Sequence, residues 1–344
     1  MPRRIHLVAG GLAFPRAHHM ASPLSFLKTQ LFVTPTYPTK SFASKTVIVT
    51  GANTGLGLEA ARHFVRLGAS TVILAVRTIS KGEAAKASIE ASERCSTDTV
   101  QVWQLDLASY DSVKAFAKQV ETLPRVDAVV ENAGIATWDF KLAEGHESTM
   151  TVNVISTFLL ALLILPKLRE TAARFNTRPY LVIVTSEVHH WTDMPERKSA
   201  EIFKALDDKD GANMSDRYNV SKLLEILVVR EMLDSVIEDK DSYPVIINTV
   251  NPGMCHSELT KDLGWMLTIT KLLLARKTEV GSRTLVNAAG EIGEKSQGEY
   301  LSDCAVSPPS PFVRSEEGRK TQKRVWDELT SILEEIEPGV TRNI

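Results

Sequence analysis

From Lys45 onward, short runs rich in β-branched residues alternate with longer stretches of helical periodicity, and this alternation limits the chain to few folds. Strands are expected at Thr46–Thr50, Thr71–Val76, Thr99–Leu105, Val126–Glu131, Tyr180–Thr185, Val245–Val250 and Gly298–Ser302. Helices are expected near 55–67, 80–92, 109–121, 145–170, 216–239 and 278–290. That order predicts an α/β fold, a doubly wound parallel sheet of seven strands with helices on both faces, in a single domain whose ligands sit at the carboxyl ends of the strands. Past the last strand, Ser307-Pro308-Pro309-Ser310-Pro311 reads as a loop. Residues 315–336 read as a surface helix whose apolar stripe, Val325, Trp326, Leu329 and Ile332, packs back on the core. The expected division is an extension over 1–44, the principal domain over 45–305, and a terminal loop and helix over 306–344.

Composition narrows the partners. Forty basic against 42 acidic residues leave a formal net charge of −2, so no global field recruits nucleic acid or an anionic membrane, and a small molecule is the expected ligand. Cys95, Cys255 and Cys304 lie far apart, with no CxxC pair and no histidine at ligand spacing, so they read as reduced thiols of an intracellular protein with no metal site. The longest uninterrupted apolar run, Phe158 to Pro166, is far short of the roughly 20 residues that a membrane-crossing helix needs. No transmembrane segment is expected. No Asp or Glu precedes Glu59, whereas Arg3, Arg4, Arg16, Lys28, Lys40 and Lys45 do. Acid-poor basic character suits an organelle presequence. The other reading is an extended start upstream of Met20, a short helix from Pro23 to Phe32 and a Pro-rich connector. Gly and Pro interrupt residues 5–15, which favours the second reading, a cytoplasmic location and a chemistry that does without the residues before Met20.

Two constellations carry chemistry. Thr50-Gly51-Ala52-Asn53-Thr54-Gly55-Leu56-Gly57 follows the first strand directly and opens a helix, where glycines permit a tight turn and let the backbone approach a pyrophosphate at the helix amino terminus. Tyr218-Asn219-Val220-Ser221-Lys222 opens a long helix, and residues four apart share a face. A tyrosine with a reference pKa of about 10 is a poor base at neutral pH, but a nearby cation such as Lys222 favours its phenolate. Taken alone, the pair is also what an ordinary amphipathic face contains. His189 and His190 follow Ser186 and invite a nucleophilic triad, but no Gly-x-Ser-x-Gly elbow surrounds the serine, and a loop or pocket-wall role suits them better.

Together these residues resemble the short-chain dehydrogenase/reductase (SDR) family in its compact form, from about Lys45 to Ser302. The resemblance rests on the Thr-Gly-x-x-x-Gly-x-Gly turn at Thr50–Gly57, Asn132-Ala133-Gly134 after strand four, Asn153, Ser186, the Tyr218 and Lys222 pair, and Pro252-Gly253 after strand six. Extended, epimerase-like members would need glycine at Thr54. Flanking text at Leu74-Ala75-Val76-Arg77, Val152-Asn153 and Arg217-Tyr218 is similar to fungal enzymes of secondary metabolism and, more distantly, to retinol-dehydrogenase-like members. The resemblance implies a Rossmann fold and a tetrad of Asn153, Ser186, Tyr218 and Lys222. In that tetrad Ser186 binds the carbonyl oxygen, Tyr218 exchanges the proton, Lys222 holds the nicotinamide ribose and Asn153 binds a relaying water. It also implies cofactor contacts at Thr50, Gly51, Asn53, Thr54, Gly55, Leu56, Gly57, Asn132, Ala133, Gly134, Tyr218, Lys222, Pro252, Gly253 and Ser257. Asp106 matches the position that meets the adenine, although a loop aspartate before a helix can equally be a cap. Glu131 stands where an asparagine usually opens the Asn-Asn-Ala-Gly motif, a departure expected to matter little.

Strand two ends in Arg77 where NAD enzymes carry an acid, which points to NADP as the cofactor, with Lys81 as a second cation. The expected protein is thus an NADP-dependent oxidoreductase acting on a carbonyl or alcohol, with a homodimer as a candidate assembly. The rivals are a catalytically silent NADP-binding regulator of the same fold, and a dehydratase or epimerase. Residues 256–277, with Leu263, Trp265, Met266, Leu267, Ile269, Leu272, Leu273 and Leu274, read as a lid over a hydrophobic substrate, a buried helix or a membrane-surface contact.

Overall fold

The computed structural model describes residues 29–237, 239–256 and 275–344. The strands are β1 (Thr46–Thr50), β2 (Thr71–Val76), β3 (Val100–Gln104), β4 (Ala128–Glu131), β5 (Tyr180–Val184), β6 (Ile246–Asn251), β7 (Tyr300–Ser302) and β8 (Ala305–Val306). The main helices are α1 (Gly55–Arg66), α2 (Ile79–Glu93), α3 (Tyr110–Glu121), α4 (Ser156–Phe175), α5 (Met214–Glu231), α6 (Thr278–Val286) and α7 (Glu316–Ile336). The strands form one eight-stranded sheet in the order β8-β7-β6-β5-β4-β1-β2-β3, parallel except for β8. The doubly wound fold is present, with one strand in the sheet beyond the seven expected and a separate short hairpin that pairs Leu142–Ala143 with His146–Glu147 across Glu144 and Gly145. β8 turns back on β7 through Asp303 and Cys304, both at positive φ. A two-residue turn of this kind favours Asn-Gly, and Asp-Cys does not announce it.

Strands covered on both faces need apolar residues at successive positions, and β1, β5 and β6 are buried along their whole lengths. Successive side chains then feed opposite cores. Ile48, Ile73, Val129, Leu181, Ile183 and Ile247 pack with residues of α3, α4, α5 and α7. Val47, Val49, Val72, Leu74, Val130 and Val182 meet α1, α2 and α6 on the other face. The carboxyl-terminal helix is integral to the first core, since Val325, Leu329 and Leu333 are fully buried and Trp326 nearly so.

A continuous helical stretch over Ser148–Phe175 is long and apolar enough to cross a membrane by length and composition, yet 89% of its most apolar window is buried inside the protein. It is the central core helix of the first face. Within it, Thr151–Ile155 winds as a π-turn, a local widening of the helix that sequence periodicity does not reveal.

Residues 29–43 form a strap across the second face. The Gln30 side chain pairs with the Met254 backbone, its Nε2 donating to the carbonyl at 2.7 Å and its Oε1 accepting from the amide at 3.1 Å. Arg276 donates to the carbonyls of Thr29 and Val33. Further along, Asn287 donates to the Thr36 carbonyl and Lys40 to the Gly290 carbonyl. The strap ends at Phe42, which is 1% exposed and meets Phe64 edge-on at 4.8 Å between ring centroids. The expectations for residues before Met20, for a helix from Pro23 and for the apolar stretch Leu263 to Leu274 lie wholly or largely outside the described residues. Phe42→Ala should cost about 3–5 kcal/mol, the usual range for emptying a buried phenylalanine site. Equilibrium urea unfolding checks this, and a loss under 1 kcal/mol, on that same scale, would mean that the strap is a detachable appendage.

Candidate active site

The sheet order reverses between β1 and β4, which opens a crevice at their carboxyl ends. Thr50, the last residue of β1, is 1% exposed, and its Oγ1 accepts hydrogen bonds from the amides of Asn132 at 3.0 Å and Ala133 at 2.9 Å. Asn132 answers by donating from Nδ2 to the Thr50 carbonyl at 2.8 Å. The Gly-rich turn closes against this lock. A Cβ on Gly57 would stand 2.6 Å from Asn132 Nδ2 and 2.7 Å from the Gly51 carbonyl oxygen, so no side chain fits there. Gly55 instead has a φ of +60° with nothing within 4 Å of a Cβ position, open space directly above the turn.

Thr54 is the N-cap of α1 and its side chain makes no capping bond, which leaves the first-turn amides of the helix without a side-chain acceptor. Asn53 and Leu56 are half-buried on either side of Thr54. Arg77 directly follows β2, is exposed, and makes no ion pair among the described residues. An open cradle, an uncapped helix start and an unpaired guanidinium are a fit for a dinucleotide phosphate. Asp106 uses a carboxylate oxygen to accept the Ala108 amide at 3.0 Å, so it does shape the turn before α3. Pro252 and Gly253 leave β6 with Gly253 at a φ of +76°, its amide donating to Asn251 Oδ1. Ser257 lies outside the described residues.

The four residues expected to act together converge beside this crevice. Tyr218 and Lys222 lie one turn apart on α5, with the ammonium 5.7 Å from the phenol ring centroid. Ser186, just past β5, stands near enough to the Tyr218 phenol to favour its ionised form, and its Oγ accepts from the Val188 amide at 3.3 Å. The π-turn carries Asn153, which is fully buried. Its Oδ1 accepts from the Ile135 amide at 2.8 Å, and its Nδ2 donates to the Ile135 carbonyl at 2.9 Å and to Ser221 Oγ at 3.0 Å. Asn153 therefore ties the loop after Asn132-Ala133-Gly134 to the helix that holds Tyr218 and Lys222. A Cβ at Gly134 would come within 3.1 Å of Asn153 Oδ1 and press on the side chain that makes this tie.

Lys222 donates from Nζ to the Val184 carbonyl at 2.8 Å and to Glu225 Oε1 at 2.7 Å. Burial alone would depress this lysine, but Glu225 and Tyr218 outweigh it and hold the ammonium above its ordinary range. Burial pushes the Tyr218 phenol upward. Lys222 opposes that push and Glu225 adds to it. Burial also drives the Glu225 carboxyl up to about 7 against the pull of Lys222. Glu131, 4% exposed, has both oxygens buried without a hydrogen-bond partner, and burial together with Glu225 raises it well above the carboxylate range. The departure at Glu131 thus has an electrostatic consequence that motif comparison missed. Glu225 was missed as well, although a lone charge in Leu223-Leu224-Glu225-Ile226-Leu227, one turn past a lysine, is a readable signal.

The histidines do not form a triad. His189 Nδ1 bonds the Ser186 carbonyl oxygen at 2.7 Å, not its hydroxyl, and Nε2 accepts from the Ser310 amide at 3.1 Å. With both nitrogens committed, burial and then His190 lower its pKa to about 3, so it is a neutral brace between the loop after β5 and the carboxyl-terminal segment. No group of three or more His, Cys, Asp or Glu able to hold a metal occurs among the described residues.

Comparison with known proteins agrees with this geometry. The family model described as short chain dehydrogenase matches residues 45–187. The chain is 51% identical over 329 residues to the short chain dehydrogenase/reductase dmxR8 of Cryptosporiopsis sp. (strain 8999), covering 93% of this chain and 100% of that protein. It is 45% identical over 331 residues to the short-chain dehydrogenase anuD of Penicillium roqueforti, covering 93% and 85% respectively. Among solved structures, an uncharacterized protein of Mycobacterium paratuberculosis superposes with a TM-score of 0.64 at 25% identity, over 87% of this chain and 98% of that one.

Thr50→Val keeps the shape of the side chain but strips the Ala133 amide of its acceptor and leaves the Asn132 amide only the Val130 carbonyl. Each unsatisfied buried donor costs about 1–3 kcal/mol, so urea unfolding should show a loss in at least that range. Dinucleotide affinity, read by fluorescence titration, should fall with it. Wild-type stability in this variant would show that the lock does not hold the crevice together.

Proposed function

The chain belongs to the short-chain dehydrogenase/reductase family, an oxidoreductase family that binds a nicotinamide dinucleotide, and from that premise we propose that it is an NADP-dependent reductase of a hydrophobic carbonyl compound in secondary metabolism. The observation that carries the reading is the meeting of the Ser186 hydroxyl, the Tyr218 phenol and the Lys222 ammonium at the carboxyl ends of β4 and β5. Ser186 holds the substrate oxygen, which fixes the carbonyl against Tyr218. The phenol, kept protonated by burial, donates its proton to that oxygen as it becomes an alkoxide. The bound nicotinamide supplies the hydride. Lys222 has two of its three N–H directions committed to Val184 and Glu225, and the third is left for the nicotinamide ribose. Asn153 keeps α5 in register with the loop at Gly134 through its bonds to Ile135 and Ser221.

The residues that would hold the dinucleotide are the turn from Thr50 to Gly57, Asn132 to Gly134, Asp106 beside the adenine, and Pro252, Gly253 and Ser257 toward the carboxamide. Preference for NADPH rests on Arg77. A guanidinium meets a phosphate with two charge-assisted hydrogen bonds and gains little from a bare hydroxyl. The hydrophobic character of the substrate rests on the apolar sequence from Leu263 to Leu274, and the metabolic setting on the likeness of the flanking sequence to fungal enzymes of that kind.

Replacing Tyr218 with Phe removes only the hydroxyl. Turnover of NADPH with a panel of carbonyl compounds should fall by roughly 10²–10⁴-fold while NADPH binding stays near normal. Undiminished turnover would remove Tyr218 from the mechanism, and a wild-type protein that binds NADPH yet reduces no carbonyl would favour a silent regulator.

Arg77→Ala should weaken NADPH binding on the order of tenfold to a hundredfold, the loss expected for one or two charge-assisted bonds, and should leave NADH binding almost unchanged. Calorimetric titration with both cofactors decides this. Equal losses would mean that Arg77 does not read the 2′-phosphate.

A further inference from the structure

The buried carboxyl groups of Glu225 and Glu131 have no part in the proton transfer described so far, yet both carry oxygens buried without a partner, which is expensive. Glu131 is the last residue of β4, opposite Ile183 of β5 in register. Strand alternation sends its side chain to the same face as Val129, the face covered by α4 and α5. Glu225 sits one turn beyond Lys222 on α5 and is 2% exposed. One of its oxygens pairs with the ammonium, and the other is buried without a partner. The titratable groups that meet here are Tyr218, Lys222 and Glu225 from α5 and Glu131 from β4. β5 contributes the Val184 carbonyl and the Thr185 hydroxyl, and the π-turn contributes the neutral Asn153.

Glu225 thus stands between one cation, Lys222, and a second carboxyl group, Glu131. A buried carboxylate with no hydrogen-bond donor is not tolerated as an ion, and two neighbouring carboxyls do not both ionise in a low-dielectric site. Glu225 has the ammonium as its partner and Glu131 has none, so the proton resides on Glu131. Resting on the reading of Tyr218 as the proton donor, we propose that Glu225 is a positioning residue that neutralises Lys222 and so keeps Tyr218 a phenol ready to give its proton, with Glu131 held protonated beside it. An uncompensated lysine would do the reverse, drawing out the phenolate and suiting the site to alcohol oxidation. The upward displacement of Tyr218 and Glu131, to both of which Glu225 contributes, agrees with this balance, and the pull of Lys222 opposes the burial that raises Glu225 itself.

The test reads the groups themselves. Tyr218 is followed by the ultraviolet absorbance of its phenolate, as the difference between the protein and its Tyr218→Phe variant, in the wild-type and in the Glu225→Gln background. The midpoint should move to lower pH by roughly one unit or more in Glu225→Gln, the effect of removing a facing charge within a few ångströms. A midpoint that stays in place in a folded Glu225→Gln protein overturns the proposal. Infrared spectroscopy provides the second arm. The wild-type protein at neutral pH should show a protonated-carboxyl band that Glu131→Gln removes, and absence of that band in the wild type also overturns it. Neither arm needs hydride transfer. A protein with the shifted phenol but no carbonyl reduction would overturn the reductase reading alone, whereas an active reductase with an unshifted phenol would overturn only the role of Glu225.

Discussion

The mutual hydrogen bonding of Thr50 and Asn132 is the constraint on which the crevice depends. β1 and β4 are neighbours at the place where the strand order reverses, and their carboxyl ends would splay there as the sheet twists. A single hydroxyl collects two backbone amides, and one carboxamide returns to the Thr50 carbonyl, so the ends are sewn together without a side chain entering the cleft. Gly57 is forced by the same stitch, because a Cβ there would collide with Asn132 Nδ2 and with the carbonyl of Gly51, the residue after Thr50. The Gly-rich turn is thus shaped from beneath by the strand neighbour as well as from above by whatever it binds.

A second layer of organisation runs through α5. Asn153 joins the helix to the loop at Ile135, while Glu147 caps the turn that precedes Asn153 and faces the fully buried Arg217 at 3.7 Å. Arg217 immediately precedes Tyr218, so the donor is held at its base by a buried ion pair and along its flank by a carboxamide. Such charges are expensive to bury, and their concentration around one helix shows where the fold gives up stability for placement. The π-turn belongs to the same account, since widening one turn of the central helix aims Asn153 sideways without breaking the helix.

Much of this is legible in the amino-acid sequence. Fully buried parallel strands must be continuous β-branched runs, so β1 and β2 were found to the residue, and the other parallel strands to within two. The spacing of Tyr218 and Lys222 and the glycines after β1 were equally plain, because backbone geometry dictates them. What stayed hidden depended on unusual turns or on distant partners. The Glu144-Gly145 and Asp303-Cys304 turns adopt positive φ at both residues without the Asn-Gly signature, so their short strands went unseen. Glu131 looked like a tolerated substitution because a motif compares identities along the chain and says nothing of burial. Its meaning comes from Glu225, 94 positions away, and only the sheet brings them together.

The strap has a consequence for how the sheet is insulated. Met254 and Arg276, which flank the interval 257–274, are bonded to each other through their backbones and are both gripped by the segment from Thr29 to Val33. The two residues on either side of the interval therefore meet at one clasp. Closing a loop on fixed ends costs only about 0.6 kcal/mol for each doubling of its length. With its two edges fixed to each other and to the strap, the frame is shielded from what lies between them, because the clasp carries the closure and the sheet does not.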